Sequence, residues 1–183
     1  MNRRRFMGSS LVLLGAAVHV GEAQDVDQQV LVKGELQSGY NMGVDDSAQG
    51  RQWLSTDGDH LKLSYPAGLK WGVVYITWDS PQADLKDRQF IDMSKYKSLI
   101  VEMRGGLGGE TVYIGVKTNE QRDDGSETKI KTPLIAEWKE YAFPLSGFRR
   151  ASPARLYVVT EVVFSGKDAQ TVLLRNVRYS HAD

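Results

Sequence analysis

The stretch VEMRGGLGGETVYIGVKTN, residues 101–119, contains two segments in which apolar and polar residues alternate, one on each side of two glycine pairs. Side chains of a β-strand alternate between its two faces, so this pattern predicts two antiparallel strands that share one apolar face. The apolar set is Val101, Met103, Val112, Ile114 and Val116. The opposite set carries an acid, a guanidinium, a phenol and an amine, namely Glu102, Arg104, Tyr113, Lys117 and Asn119. Polar groups mixed with a ring are typical of a surface that binds sugars.

The glycine pairs between the two segments predict a hairpin connection with positive φ angles. A phosphate-binding loop is excluded, because no Lys-Ser or Lys-Thr comes directly after the glycines and the next segment has the pattern of a strand rather than a helix. The sequence therefore offers no nucleotide-binding motif here.

Short strand patterns separated by turn residues continue along the rest of the chain. RQWLSTDGDHLKLSYP, residues 51–66, alternates on both sides of Asp57-Gly58, which predicts a β-hairpin. About nine such segments and no long amphipathic helix predict an all-β fold, an antiparallel β-sandwich or jelly roll over residues 37–181. Residues 24–36 are interpreted as an N-terminal lead.

Two further strands extend the predicted polar face. In KWGVVYITW and RLYVVTEVVF, alternation assigns Val74, Ile76, Trp78, Val158, Val162 and Phe164 to the core. The predicted ligand surface then consists of Tyr75, Glu102, Arg104, Tyr113, Lys117, Asn119, Tyr157 and Glu161. The structural alternative is that the tyrosines are ordinary strand residues and that Glu102 and Lys117 form a cross-strand ion pair.

The first 23 residues have the pattern of an export signal peptide. Arg3, Arg4 and Arg5 precede an apolar stretch that is too short for a comfortable membrane span, and small residues follow before residue 24. The arginines also resemble a twin-arginine signal, with an ordinary Sec leader as the alternative. We therefore expect a periplasmic or secreted protein without membrane insertion.

Charge and cysteine content narrow the functional classes. Three of the 23 basic and one of the 23 acidic side chains lie in residues 1–23, which leaves 20 and 22, a net charge of −2. Such a chain has no long-range attraction for nucleic acid. The absence of cysteine excludes disulfides, a lipoprotein anchor, a thiol nucleophile and a cysteine-bound metal.

Catalysis is disfavoured by the residues that are present. His19, His60 and His181 form no nucleophilic triad or metal cluster by their positions. A glycoside hydrolase would need two facing carboxylates, and Glu102 with Glu161 is the pair that the sequence leaves open. The favoured prediction is a protein that is not an enzyme.

The order of these segments resembles a known family. LKLSYPAGLKWGVVYITW, DMSKYKSLIVEMRGGLGGETVYIGVKT, EWKEYAFPLSGF and VVFSGKDAQTVLLRNVRYS resemble jelly-roll carbohydrate-binding modules with a galactose-binding-domain-like fold, especially those that accompany bacterial β-glucanases. They are also similar to the complex I intermediate-associated protein family. The first resemblance implies a carbohydrate ligand on a concave sheet face. The second implies, as the alternative, an interaction module with a protein partner.

The resemblance also bears on cofactors. The last strand of such modules commonly carries an Asp that helps to bind a structural calcium ion, and Asp45-Asp46 stand where the N-terminal ligands would lie. This sequence has Arg175 in the aligned position. Calcium takes six to eight oxygen ligands, and a cation among them opposes binding, so we expect no cofactor.

Overall fold

A computed structural model describes residues 26–48 and 53–182, which form two antiparallel β-sheets packed face to face. In this part of the chain there are twelve strands, three 3-10 helices of three residues each and no α-helix. The all-β sandwich predicted from the sequence is confirmed, with more strands than the nine expected. The predicted leader, residues 1–23, lies outside the described residues. Among those described, no helix is long and apolar enough to cross a membrane.

The seven-stranded sheet consists of β1 (Gln28–Val32), β2 (Glu35–Leu36), β4 (Leu54–Asp57), β5 (His60–Tyr65), β7 (Ser98–Gly105), β10 (Lys139–Pro144) and β12 (Gln170–Ser180). One edge of β12 pairs with β7, and its other edge pairs with β5 and then with β1. Because β1 lies in the stretch assigned to an N-terminal lead, the start of the sandwich moves from residue 37 to Gln28.

The five-stranded sheet consists of β3 (Tyr40–Asp46), β6 (Trp71–Trp78), β8 (Thr111–Thr118), β9 (Lys129–Pro133) and β11 (Leu156–Ser165). Its spatial order is β3-β6-β11-β8-β9. The inner faces of the two sheets bury a single apolar core. Its fully buried members include Val101 and Met103 from one sheet and Val112 and Ile114 from the other.

The two segments of residues 101–119 lie in different sheets and do not pair. β7 pairs with β10 and β12, whereas β8 pairs with β9 and β11. The glycine-rich connection, with Gly108 and Gly109 at positive φ angles of 85° and 95°, crosses from one sheet to the other instead of closing a hairpin. The inward and outward alternation was predicted correctly, but the pairing was wrong.

A β-bulge in β11 changes which of its valines reach the core. Strand register shifts between Val158 and Thr160, and Val159 rather than Val158 belongs to the apolar core. A bulge inserts one residue and reverses the alternation beyond it. The prediction that Val158 faces the core was therefore wrong, while Val162 and Phe164 are buried as expected.

The predicted hairpin at Asp57-Gly58 is confirmed. β4 and β5 pair from Leu54 opposite Leu63 to Asp57 opposite His60. Gly58 has a φ angle of 63°, which a glycine adopts without steric cost.

Candidate functional site

A groove of about 550 Å³ crosses the outer face of the five-stranded sheet. Its floor comes from the sheet and one of its walls from the loop between β8 and β9. It is lined by Asp45, Trp71, Val73, Tyr75, Pro81, Arg88, Lys117, Asp123, Asp124, Gly125, Glu127, Lys129, Tyr157, Val158, Glu161 and Val163.

One row of residues across all five strands forms the centre of the floor. Strand register places Gly43, Tyr75, Glu161, Gly115 and Lys129 side by side. A Cβ at Gly43 would overlap the ring of Tyr75, and a Cβ at Gly115 would overlap the carboxyl of Glu161. Each glycine thus lets the side chain of the neighbouring strand lie flat across it, which keeps the groove open.

Two aromatic rings lie along β6 on this floor. Trp71, the first residue of β6, is 42% exposed, and Tyr75 lies four residues further along the same strand. Val73 and Val163 are opposite each other between these two rings. Burial, with the nearby carboxylate of Asp45, raises the pKa of Tyr75, so its hydroxyl remains a neutral hydrogen-bonding group. Flat rings beside apolar floor residues suit the apolar face of a sugar ring.

Another part of the groove is held by ion pairs to the wall. Asp123 accepts a hydrogen bond of 2.6 Å from Lys117 Nζ and pairs with the Arg88 guanidinium. Burial works against ionisation of Asp123, but these hydrogen bonds outweigh it and lower the pKa of its carboxyl. Arg88 also stacks on Tyr157, with 4.6 Å from guanidinium carbon to ring centroid, and Tyr157 donates 2.6 Å to the carbonyl of Ser80.

Two neighbouring carboxyl groups, those of Glu127 and Glu161, lie where the floor of the groove meets the wall. Glu127 is ion-paired with Lys129 and lies 4.0 Å from Lys117 Nζ. Burial opposes its ionisation, but the hydrogen bond from Lys129 prevails and lowers the pKa of Glu127. Glu161, next to it, is 5% exposed, and burial followed by the charge of Glu127 raises its pKa to about 8. At neutral pH one carboxyl is ionised and the other is protonated.

Half of the eight predicted site residues line the groove. These are Tyr75, Lys117, Tyr157 and Glu161. Tyr113 lies beside the groove, opposite Val163 on the same face, but does not line it. Asn119 is buried just beyond β8, where its backbone N–H donates 3.1 Å to the carbonyl of Arg155.

The other two predicted residues lie on the far side of the sandwich. Glu102 and Arg104 are on β7 and face outward from the seven-stranded sheet, so the eight residues do not form one surface. Glu102 pairs with Arg175 and Asn176, and the Arg175 hydrogen bond lowers the pKa of its carboxyl. This corrects two expectations, the ion pair with Lys117 and the facing carboxylates of Glu102 and Glu161.

Arg104 contributes to a cluster around Trp138 on that far side. Its guanidinium carbon lies 5.4 Å from the ring centroid of Trp138, and that of Arg175 lies 4.5 Å from it. The ring is therefore already covered by cations of the same chain.

The sequence profile of one protein family, carbohydrate binding domain 30, matches residues 20–181, nearly the whole chain. The chain belongs to this carbohydrate-binding family. No curated protein matches its sequence. The relation to the complex I intermediate-associated family, which the sequence patterns also suggested, receives no support from these matches.

Solved structures of carbohydrate-binding modules share the fold of this family 30 domain. The family 30 module of the cellulosomal cellulase Cel9D-Cel44B of Clostridium thermocellum has 19% sequence identity and a TM-score of 0.59, covering 86% of this chain and 99% of that one. A CBM29-2 variant complexed with mannohexaose has 13% identity, a TM-score of 0.59, and coverage of 85% and 92%. Another CBM29-2 variant, complexed with cellulohexaose, has 14% identity, the same TM-score, and coverage of 85% and 91%.

The groove of this family 30 domain contains residues that the sequence prediction missed. Trp71 has the same parity as Tyr75 in β6, so alternation alone could have found it. Arg88, Asp123 and Glu127 lie in connections between strands, where no periodicity fixes the direction of a side chain. Only the folded chain brings them to the sheet.

The residues considered for calcium lie apart and have other partners. Asp46 is buried and accepts hydrogen bonds from Trp53 Nε1 at 3.1 Å and from the backbone of Ala48. Asp45 lines the groove, while Arg175 lies on the other sheet. Within residues 26–48 and 53–182, no group of three or more His, Cys, Asp or Glu side chains could hold a metal ion.

Proposed function

We propose that this family 30 domain binds a neutral polysaccharide or oligosaccharide in the groove on its five-stranded sheet and does not transform it. The observation that carries the proposal is the exposed indole of Trp71 in line with Tyr75 along β6. Stacking on such rings needs no charge on the ligand and suits a pyranose, which presents one face of C–H groups. Protein groups further along the groove would then bond to its hydroxyls.

The ion pairs favour a ligand without charge. All three cations that line the groove in the described chain, Arg88, Lys117 and Lys129, are ion-paired with Asp123 or Glu127. An anionic glycan would have to displace a carboxylate that is already hydrogen-bonded, at the cost of leaving it unpaired. A neutral glycan accepts and donates hydrogen bonds at the edges of these pairs without breaking them.

Two neighbours in fold support an extended ligand, since their structures contain mannohexaose and cellulohexaose. For this chain we propose the same class, a chain of several hexose units. Which hexose it contains would be decided by hydroxyl orientation along the groove. If the leader predicted in residues 1–23 acts as expected, the glycan is met in the periplasm or outside the cell.

The alternative functions fit the groove less well. A protein interface has a contiguous apolar centre, whereas this groove alternates rings with ion pairs. A glycoside hydrolase holds its two carboxyls about 5–10 Å apart around the scissile bond. Glu127 is instead committed to an ion pair with Lys129, and Glu161 is almost completely buried.

The test compares two tryptophan variants on opposite faces. Binding of mannohexaose, cellulohexaose and an anionic polygalacturonate fragment is measured by calorimetry for the wild type, Trp71→Ala and Trp138→Ala. We expect a neutral hexasaccharide to bind, and Trp71→Ala to weaken it by about 1–2 kcal/mol through loss of the stacked ring. Trp138→Ala removes the same side chain from the far side and should leave affinity unchanged.

Three results would overturn the proposal. Binding lost in Trp138→Ala but kept in Trp71→Ala would place the ligand on the seven-stranded sheet. Preference for the anionic fragment would contradict the argument from paired cations. Failure of a folded wild-type protein to bind any glycan in a wider polysaccharide screen would favour the protein-interaction alternative.

A further inference from the structure

Two carboxyl groups meet at the boundary between the groove floor and its wall. Glu161 lies in the centre of β11, and Glu127 lies just before β9 at the end of the wall loop, residues 119–128. Both are deeply buried, with 5% exposure for Glu161 and 5% for the side chain of Glu127. Glu161 Oε1 and Glu127 Oε2 find no hydrogen-bond donor among the described residues.

This contact needs a proton. An ionised carboxylate only accepts hydrogen bonds, so two ionised carboxylates in contact would repel each other and leave both oxygens unsatisfied. One shared proton turns the same contact into a hydrogen bond. Glu127 has Lys129 as an ion-pair partner, so the proton belongs on Glu161, whose pKa is raised to about 8 by burial and by the charge of Glu127.

Charged and titratable groups face Glu161 from every neighbouring element of the groove. Tyr75 lies beside it on β6, Lys117 approaches from β8, Lys129 from β9 and Glu127 from the wall loop. The two lysines reduce the cost of ionising Glu161, but they are already committed to carboxylates of the wall. Lys117 Nζ lies 2.6 Å from Asp123 and 4.0 Å from Glu127.

We propose that protonated Glu161 is a positioning residue that holds Glu127, and with it the wall loop, in the geometry that binds the glycan. The inference rests on the proposed function for its binding consequence, but the attachment of the loop is a property of the free protein. Ionised Glu161 repels Glu127 and competes with it for Lys117 and Lys129. The wall then loses its attachment to the sheet at Glu127, while Asp123 keeps its ion pairs with Arg88 and Lys117.

Binding should therefore depend on pH in alkaline solution. If only the protonated form holds the wall, the competent fraction is about a tenth at one pH unit above the midpoint, and affinity for a neutral hexasaccharide falls about tenfold. Glu161→Gln keeps a hydrogen-bond donor for Glu127 and has no proton to lose. Whatever its affinity at about pH 6, that affinity should show no decrease up to about pH 9.

The experiment has a free-protein arm and a binding arm. In the free protein, amide shifts of residues 119–128 and the side-chain carboxyl resonance of Glu161 are followed by NMR from about pH 6 to about pH 9. The wild type should show one shared titration, which Glu161→Gln abolishes. Glu127→Gln removes the neighbouring charge and should move the Glu161 midpoint to lower pH. The binding arm repeats calorimetry with cellulohexaose and mannohexaose at the same pH values.

The two arms separate the two proposals. If no hexasaccharide binds but the wall loop titrates in the wild type and not in Glu161→Gln, the proposed function fails and the positioning role stands. If a hexasaccharide binds with the same pH profile in both proteins, the positioning role is overturned while the function stands. A Glu161 carboxyl that is already ionised at about pH 6 also overturns it.

Discussion

The phenol ring of Tyr75 lies across the backbone of Gly43 on the neighbouring strand, in the space that any other residue would fill with its side chain. The same relationship recurs in this row, where the carboxyl of Glu161 lies across Gly115. Two glycines thus lower the floor of the groove at its centre. Neither glycine has a positive φ angle, so glycine is needed at these positions because it has no Cβ and not because of its backbone conformation.

Gly43→Ala should displace Tyr75 and weaken glycan binding about tenfold, since a small misplacement of a binding ring costs the order of 1–2 kcal/mol. The added methyl group overlaps the ring and must push it into the groove. Calorimetry with a neutral hexasaccharide measures the effect. Gly147→Ala is the matched control, because its Cβ would meet only the end of the flexible Ile130 side chain, at 3.3 Å. Equal affinity in the two variants would mean that Tyr75 takes no part in binding.

The sequence predicted the local properties of the strands better than their partners. Alternation in residues 101–119 correctly separated Val101 and Ile114 from Glu102 and Tyr113, because the period of a strand is a property of its own backbone. Pairing depends on residues far away in the chain, and the glycine-rich connection is compatible with a hairpin or a crossing between sheets. Choosing the hairpin placed Glu102 on the wrong side of the molecule.

The groove was only half predictable for a related reason. Its floor follows strand alternation, except where the bulge in β11 turns Val158 outward. Its wall is a loop, and Asp123 and Glu127 reach the sheet only through ion pairs with Lys117 and Lys129. Such contacts have no sequence period, so they require the tertiary structure.

Ile114→Ala should destabilise the domain by about 2–5 kcal/mol, because a fully buried side chain leaves a cavity. Tyr113→Ala, one residue away on the outer face, should cost much less, since its ring is half-buried and adjoins the groove. Urea unfolding with a common slope measures both changes. If Tyr113→Ala were the more damaging variant, the inner and outer faces of β8 would have to be exchanged.

Lys117→Met should destabilise the domain by about 0.5–1.5 kcal/mol, because Asp123 loses one of its two charged hydrogen-bond donors and keeps Arg88 alone. Lys117 is the cation that lies within 4.0 Å of both Asp123 and Glu127, and its side chain is 6% exposed. The same variant should raise the Asp123 pKa, which NMR titration measures. Lys131→Met, on the exposed side of β9, is the control and should change neither quantity.

Glu102→Gln and Arg104→Ala should leave glycan affinity unchanged, although both residues were predicted to bind the ligand. They lie on the seven-stranded sheet with Arg175 and Trp138 as partners. Glu102→Gln should still lower stability by about 1–3 kcal/mol, because Arg175 and Asn176 lose an ionised acceptor. Calorimetry and urea unfolding of the same samples check the two expectations, and a loss of affinity without a loss of stability would contradict the placement of the site.

Stability of the free domain should fall as pH rises from about 4.5 to about 8, and Glu161 is the reason. Its pKa is about 8 in the folded chain against an ordinary value of 4.5. Between these values the native state holds a proton that the unfolded chain has released, so the free energy of unfolding decreases with rising pH. Asp123 and Glu127 act in the opposite sense, since their pKa values are lowered and their contribution is lost only as acid protonates them. The stability maximum therefore lies on the acid side of neutrality.

Glu161→Gln removes the alkaline decline in stability and keeps the acid one. Thermal unfolding of both proteins across this pH range measures the difference. Parallel curves for the two proteins above about pH 5 would show that Glu161 holds no proton in the native state.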